Sequence, residues 1–494
     1  MSFLAIDLGT QSIRAAIVDK NGQVRFLSQL SQNIDSPRPG WAQQMPELWW
    51  NLTKQVIKQT ISQHTKRSST DDIEGICVCG QMHGPVGIDQ NGQITTKWTQ
   101  IWMDKRSEDI CKIIRTNYDE TKLAKISGNP ITTGWPGVKV RWIKENQRAI
   151  YETTKYFLVP KDFINYKLTG IAATDHSEAS GTYLYDINEE RYSKKLEDVL
   201  DIDLEKFAPI HEAYDIIGTL KKDMVQELGL TYELPVIAGG GDFIVSLLGI
   251  GLVDTSTAVD MTGTSTLFVV HKNKPLIDPA IQNLHHVIGG WIPFTILDCG
   301  GLAMKWCKDF LNSANKVDLS YEEIIQFAKE SQIGSDGLLF YPYLLGERRK
   351  ENISARGAFY NLTLTHQVKD FCRSIMEGVA LAIGKDVIHL NDLGINLKKV
   401  YCLGGATRNH LLYQIKANVT NLPQLITNQP ESSLSGCGIL TAYALGKIEN
   451  FLQEKNIKPS QIFYPEDGAV RQYQKIQKEY NRMYDHMLGY TLKN

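Results

Sequence analysis

One strand–turn–strand unit occurs twice in this chain. AIDLGTQSIRAAIVDKNG (5–22) reads as an apolar strand carrying Asp7, a Gly9-Thr10 turn, and a second apolar strand. AVDMTGTSTLFVVHKN (258–273) follows about half a chain later with the same order: Asp260 third in an Ala-Val-Asp strand, Gly263-Thr264, then another apolar run. A carboxylate on an otherwise buried strand is costly unless it is paired or used. The likeness is short and needs a one-residue gap, so chance similarity is the other reading; a genuine duplication would mean two similar α/β domains facing each other across a cleft. The chain's 494 residues are enough for two cores. The division is expected at 1–245 and 246–494.

The rest of the chain fits an α/β fold in both halves. Strand signals recur in FLAIDL, GICVCG, YFLVP, PVIAGGG and VYCLGG. Helical periodicity appears in ELWWNLTKQVIKQTISQH, YEEIIQFAKE and VKDFCRSIMEGVALAIGKDVIHLND. Several strands run straight into glycine-rich loops, where α/β sheets bind their ligands. A formal net charge of -2 argues against general polyanion binding, so no nucleic-acid partner is expected. Eight scattered Cys without a C-x-x-C pair give no zinc or disulfide framework and suit a reducing cytoplasm. Cys77 and Cys79 share one strand face and read as small core residues. Asp7 interrupts the N-terminal apolar run, so no signal peptide is expected. No run of 18 apolar residues predicts a membrane span.

Five places carry candidate chemistry. The Gly9-Thr10 turn lets backbone N–H groups approach phosphate oxygens, with Asp7 placed to hold Mg²⁺; an ordinary β-turn with a solvated Asp would read the same way. LPVIAGGGDF ends a strand in three glycines and presents Asp242 where a general base could sit. GQMHG (Gln81, Met82, His83) offers hydrogen bonds and a soft apolar wall to a small polar ligand. IWMDKRSE would place Trp102, Asp104 and Arg106 on one face if extended, although an exposed salt bridge fits it equally. YCLGGATRNHLL reads as strand, Gly404-Gly405 turn and helix, with Asn409 in the first helical turn. No Walker A motif is present, so nucleotide binding would need another fold.

Taken in order along the chain, DLGTQSIRAAIVD, GWAQQMPELWW, GQMHG, WMDKR, SGNPITTG, PKDFINYKLTG, TDHSEASGTYLYD, AGGGD, TGTST, LLFYPYLLGER, ARGAFYNLTLTH, IMEGVALAI and GGATRNHLLYQIKANVT resemble the FGGY carbohydrate kinases, most closely the xylulokinase branch. The resemblance implies two actin-like (ribonuclease-H-like) ATPase domains, with ATP and sugar in the cleft between them. It implies phosphorylation of a ketose, D-xylulose foremost, with Mg²⁺ and ATP. Asp242 matches the catalytic base and Asp7 the Mg²⁺-associated aspartate. Gly9, Thr10 and Gln11 match the first phosphate loop; Gly263, Thr264 and Ser265 match the second. Gly404, Gly405 and Asn409 match the adenosine site. Gln81, Met82, His83, Asp104 and Asp242 match the sugar side. A cytoplasmic enzyme, with a homodimer as candidate assembly, would be in keeping.

Three departures stand out. Phe243 and Ile244 follow Asp242 where a small polar pair is usual, which opens the choice of sugar to ribulose, a deoxyketose or a polyol. GERRKEN replaces the usual GERTPH, and the adenosine motif has two glycines where three are common. A non-catalytic sugar or nucleotide sensor and a chaperone-like ATPase are the readings from other classes. The intact Asp242, Asp7 and Gly-Thr loops count against the first, and GQMHG against the second.

Overall fold

A computed structural model describes residues 2–315, 317–347, 355–427, 429, 431–451 and 459–488. The sequence departure from GERTPH, at 349–351, lies outside them.

The first half builds a six-stranded sheet from β1 (Ser2–Leu8), β2 (Ser12–Val18), β3 (Val24–Ser31), β4 (Ile73–Gly80), β5 (Ile216–Thr219) and β6 (Pro235–Gly241), in spatial order β5-β6-β4-β1-β2-β3. The second half builds a seven-stranded sheet from β7 (Thr257–Thr262), β8 (Thr266–Val270), β9 (Gln282–His285), β10 (Trp291–Leu297), β11 (Lys399–Leu403), β12 (Gln424–Ile426) and β13 (Gln461–Phe463), in order β9-β10-β8-β7-β11-β12-β13. Each sheet contains an antiparallel three-strand meander followed by two parallel strands: β3-β2-β1-β4-β6 in one, β10-β8-β7-β11-β12 in the other. The duplicated hairpins are β1–β2 and β7–β8, at the heart of each sheet. The architecture is the pair of similar α/β domains expected from the repeat, in the actin-like fold that the resemblance implies.

The strand sequences explain their places. β1 is buried from Phe3 to Leu8, as a central strand covered on both faces must be. Cys77 and Cys79 are buried in β4, on the face opposite Val78. The covering helices that matter for the site are α1 (Pro46–Thr65), α2 (Pro136–Asn146), α3 (Pro160–Thr169), α4 (His176–Ser180), α5 (Asp242–Gly249), α6 (Gly301–Asn315), α7 (Val368–Asp392), α8 (His410–Thr420), α9 (Ser432–Ala444) and α10 (Asp467–Leu488). Pro46 opens α1 at a position where its missing N–H costs nothing. Trp49, Val56, Ile57 and Ile61 then bury its inner face against the first sheet.

Helix α9 comes from the second half but packs on β1 and β4 of the first sheet and crosses α5 at close range. A Cβ on Gly249 would lie 1.8 Å from the Ser432 carbonyl oxygen, and one on Gly436 would lie 2.1 Å from that of Val245. Only glycine permits this crossing.

Candidate active site

The first hairpin brings Asp7 opposite Arg14. Asp7 is 2% exposed. Its Oδ2 accepts from the Arg14 guanidinium and, at 2.7 Å, from the Ser433 hydroxyl of α9. Arg14 also donates to Glu431 Oε2 at 2.6 Å, at the start of α9. Asp7 Oδ1 is buried and has no hydrogen-bond partner among the described residues. The turn is tight: a Cβ on Gly9 would lie 2.9 Å from the Ser12 carbonyl. The Thr10 hydroxyl donates to Gln81 Oε1 at 3.2 Å and accepts from the Trp102 indole at 3.1 Å, which joins this loop to GQMHG. Gln11 is exposed.

The three glycines of β6 each have a steric reason. A Cβ on Gly239, at φ +70°, would fall 1.9 Å from the Val78 carbonyl. On Gly240 it would meet Val287 at 2.5 Å, and on Gly241 it would meet Met82 Sδ at 2.5 Å. Met82 therefore lies on the backbone immediately before Asp242, bringing GQMHG and GGGD together. Asp242 begins α5, where the helix dipole favours a carboxylate. Its Oδ1 accepts from the Phe243 N–H at 2.6 Å. Desolvation, with the nearby Asp7 charge adding, pushes its carboxyl up to about 7. The Phe243 ring packs edge-on against Phe294 of β10, centroids 5.4 Å apart.

Of the residues expected on the sugar side, Met82 and His83 line the loop, while Gln81 and Asp104 are occupied by the protein. Gln81 Nε2 donates to Gln44 at 2.7 Å and its Oε1 holds Thr10, so it props the phosphate loop. Asp104 is buried, held by Arg106 through both oxygens and by the Ala42 N–H at 2.7 Å. Trp102 is 42% exposed and Asp104 fully buried, so these residues do not share a face; turns at 102–103 and 106–107 break the expected alternation. His83 takes φ +71° and meets Trp135 edge-on at 5.1 Å. Burial, with the Lys139 charge adding, pushes its imidazole down to about 3, so it is neutral. The buried Lys139 amine of α2 donates to the carbonyls of His83 at 2.7 Å and Gly134 at 2.8 Å. Burial lowers it to about 7.

In the second half, Gly263 and Thr264 are exposed at the end of β7. Their carbonyls accept from the first N–H groups of α6, Gly301 N to Gly263 O and Leu302 N to Thr264 O, both at 3.0 Å. Ser265 closes the turn by accepting from Gly263 N at 2.9 Å. The Gly404 turn sits directly beside this loop: at φ +93°, a Cβ there would lie 2.4 Å from the Thr262 carbonyl. Gly405 has open space around it. Asn409 caps α8 instead of lying in its first turn, its side chain accepting from the Leu412 N–H. Asp260 is closed off: Lys416 donates to its Oδ2 at 2.6 Å and Thr262 to its Oδ1 at 2.5 Å.

Comparison with known proteins decides the family. The N-terminal domain model of the FGGY family of carbohydrate kinases matches residues 2–249, and its C-terminal domain model matches residues 259–445. The chain belongs to the FGGY family of carbohydrate kinases. It is a sugar kinase with the two-domain architecture of that family. A xylulose kinase from Staphylococcus epidermidis is 29% identical over 491 residues, spanning 97% of this chain and 96% of the relative. A gluconokinase from Bacillus subtilis is 26% identical, spanning 91% of this chain and 88% of the relative. The crystal structure of xylulose kinase from Rhodospirillum rubrum superposes with a TM-score of 0.92 at 24% identity, covering 99% of each chain.

Several residues of this site went unremarked in the sequence. Arg14 was legible, because an antiparallel hairpin turning at 9–11 must pair it with Asp7. Ser433, Glu431 and Lys139 carried no local signal. Among the described residues, no helix is long and apolar enough to cross a membrane.

Proposed function

We propose that this FGGY kinase transfers the γ-phosphoryl group of ATP to the terminal hydroxyl of a ketose, with D-xylulose as the preferred acceptor. The observation that carries the reading is Asp242. It is a carboxylate at the end of a glycine-crowded strand, beside Met82 and near Asp7, raised to about 7, where a group can accept a proton near neutral pH. Asp242 takes the proton as the sugar hydroxyl attacks in line. Phosphoryl transfer depends chiefly on positioning and charge neutralisation. Gly9, Thr10 and Gln11 on one side, and Gly263, Thr264 and Ser265 on the other, offer exposed turns for the phosphates. Gly404, Gly405 and Asn409 form the shallow turn for adenosine. Met82 and His83 wall the sugar, while Gln81 and Asp104 hold the walls in place.

Mg²⁺ fits the residues present. Asp7 Oδ1 is a hard oxygen donor left without a protein partner, and Mg²⁺ is commonly held by one or two carboxylates together with substrate phosphates. When bound, the ion would neutralise charge on the transferring phosphoryl group. Asp7 would hold it, with Arg14 and Ser433 fixing the carboxylate's second oxygen.

The choice of D-xylulose rests on the xylulose kinase relatives that match nearly the full chain; the gluconokinase relative makes gluconate the competitor to exclude. ADP release with D-xylulose, D-ribulose, gluconate, glycerol and no acceptor tests it. D-xylulose is expected to give the highest kcat/KM, at least about tenfold above the others, a preference of ~1.4 kcal/mol. A higher value with another acceptor overturns the substrate assignment. Asp242→Asn is expected to lower turnover by ~10²–10⁴. Turnover within about threefold of wild type overturns its role as base.

A further inference from the structure

Below Asp242 lies a set of buried charged groups that the proposed chemistry does not use. Lys161 and Asp162 of α3, and Asp175 and Glu178 around α4, are all at most 1% exposed. Lys161 Nζ donates to Asp162 Oδ1 at 2.5 Å and pairs with Asp175 Oδ1 at 2.9 Å. Both oxygens of Glu178 lack hydrogen-bond partners among the described residues, and burial raises its carboxyl well above the ordinary value. Burying an ion pair rarely gains stability over apolar packing, so such a cluster calls for another reason.

The reason lies in β6. Its pairing with β4 slips by one residue between Ile237 and Gly240, so Ala238 and Gly239 together oppose Val78. Such a bulge re-aims the residues that follow it, and it removes one backbone group from the ladder. Here the Ala238 carbonyl is taken by Lys161 Nζ at 3.1 Å and by Asn165 Nδ2 at 2.9 Å. On the other side of the bulge, the Gly241 N–H donates to the Ser177 hydroxyl at 3.1 Å. Ser177 is itself fixed, its own N–H donating to Asp175 Oδ2 at 2.8 Å. Asp175 pairs with Lys161, so one buried ammonium ties together both ends of the bulge. The next residue in the chain is Asp242.

We propose that Lys161, Asn165 and Ser177 are positioning residues for Asp242: they clamp the bulged end of β6 and so set the direction from which the carboxylate meets the substrate hydroxyl. This rests on Asp242 being the base. It gives PKDFINYKLTG and TDHSEASGTYLYD a role in the reaction without contact with either substrate.

Ser177→Ala tests it most gently, since it removes one hydroxyl. Kinetics are measured with whichever of D-xylulose, D-ribulose, gluconate and glycerol the wild type turns over fastest. The variant is expected to lose about tenfold in kcat, the scale of one hydrogen bond, with both KM values within about twofold. In an Asp242→Asn background the same change should cost nothing further, because there is no base left to aim. An unchanged kcat, or an equal loss in both backgrounds, overturns the proposal. If Ser177→Ala is not recovered folded, Asn165→Leu releases the same bulge from the other side and is read by the same two criteria. An Asp242→Asn variant that stays active instead overturns the base assignment, whatever Ser177→Ala does.

Discussion

Asp7 and Asp260 hold equivalent positions in the two hairpins, but they differ in what their oxygens meet. Lys416 and Thr262 occupy both oxygens of Asp260. Arg14 and Ser433 converge on one oxygen of Asp7, leaving Oδ1 without a partner among the described residues. One copy of the duplicated carboxylate has become a closed structural pair; the other keeps a donor atom free.

The two substitutions should therefore fail differently. Asp7→Asn is expected to raise the Mg²⁺ concentration for half-maximal activity by ~10–100-fold while leaving sugar binding unchanged. Lys416→Met strands the buried Asp260 charge and is expected to cost about 3–5 kcal/mol of stability. A Mg²⁺ titration and urea unfolding measure these. Loss of sugar affinity in Asp7→Asn would contradict the assignment of Asp7 to the metal.

Asp242 should make the protein less stable as pH rises. Its folded-state value of about 7 lies above the ~3.9 of an unfolded Asp, so the folded state holds the proton more tightly. Stability is lost as pH rises between those values. Asp242→Asn escapes this loss: it should match wild type near pH 4 and melt at a higher temperature at pH 8. Equal melting temperatures at both pH values would refute the raised carboxyl. In wild type, kcat/KM should fall on the acid side with a midpoint at or below about 7, since a bound cation at Asp7 would draw it down.

Lys139 supports the strained His83 backbone by donating to its carbonyl and to that of Gly134. Lys139→Met keeps the bulk and removes both donors. Sugar KM should rise by roughly tenfold, the scale of one or two hydrogen bonds, with ATP KM unchanged. A rise in ATP KM alone would place Lys139 with the wrong substrate.

Phe243 meets Phe294 edge-on, which is a contact between the two halves. Phe243→Asn should then lower the melting temperature, through an aromatic pair worth ~0.5–1.5 kcal/mol beyond its burial. The kcat/KM ratio of D-xylulose to D-ribulose should stay within about threefold. A larger change in that ratio would show the ring acting on the sugar.

What could be read in advance depended on distance along the chain. The paired hairpins, the glycine triplet and the strand-end loops are local patterns, and each appears where periodicity and glycine placement put it. The Trp102–Arg106 segment was misread because alternation was assumed where two turns intervene. Lys139 sits in GVKVRWIKEN, where a lysine on a helix ordinarily reads as solvated; its burial follows from Gly134 and His83 closing over it. Contacts to α9 had no local signature. Ser433 lies 426 residues from the carboxylate it binds, and only the packing of α9 on the first sheet brings them together.

The seating of α9 on the first sheet bears on synthesis as well as on the folded protein. Asp7 leaves the ribosome 426 residues ahead of Ser433. At ~5–20 residues per second, that is a delay of roughly 20–90 s. Throughout it, the emerging first half lacks the helix that covers β1 and β4, and Arg14 and Asp7 lack their partners across the chain. The nascent first half therefore exposes an apolar sheet face until α9 has been made, and its active site stays incomplete until that helix arrives.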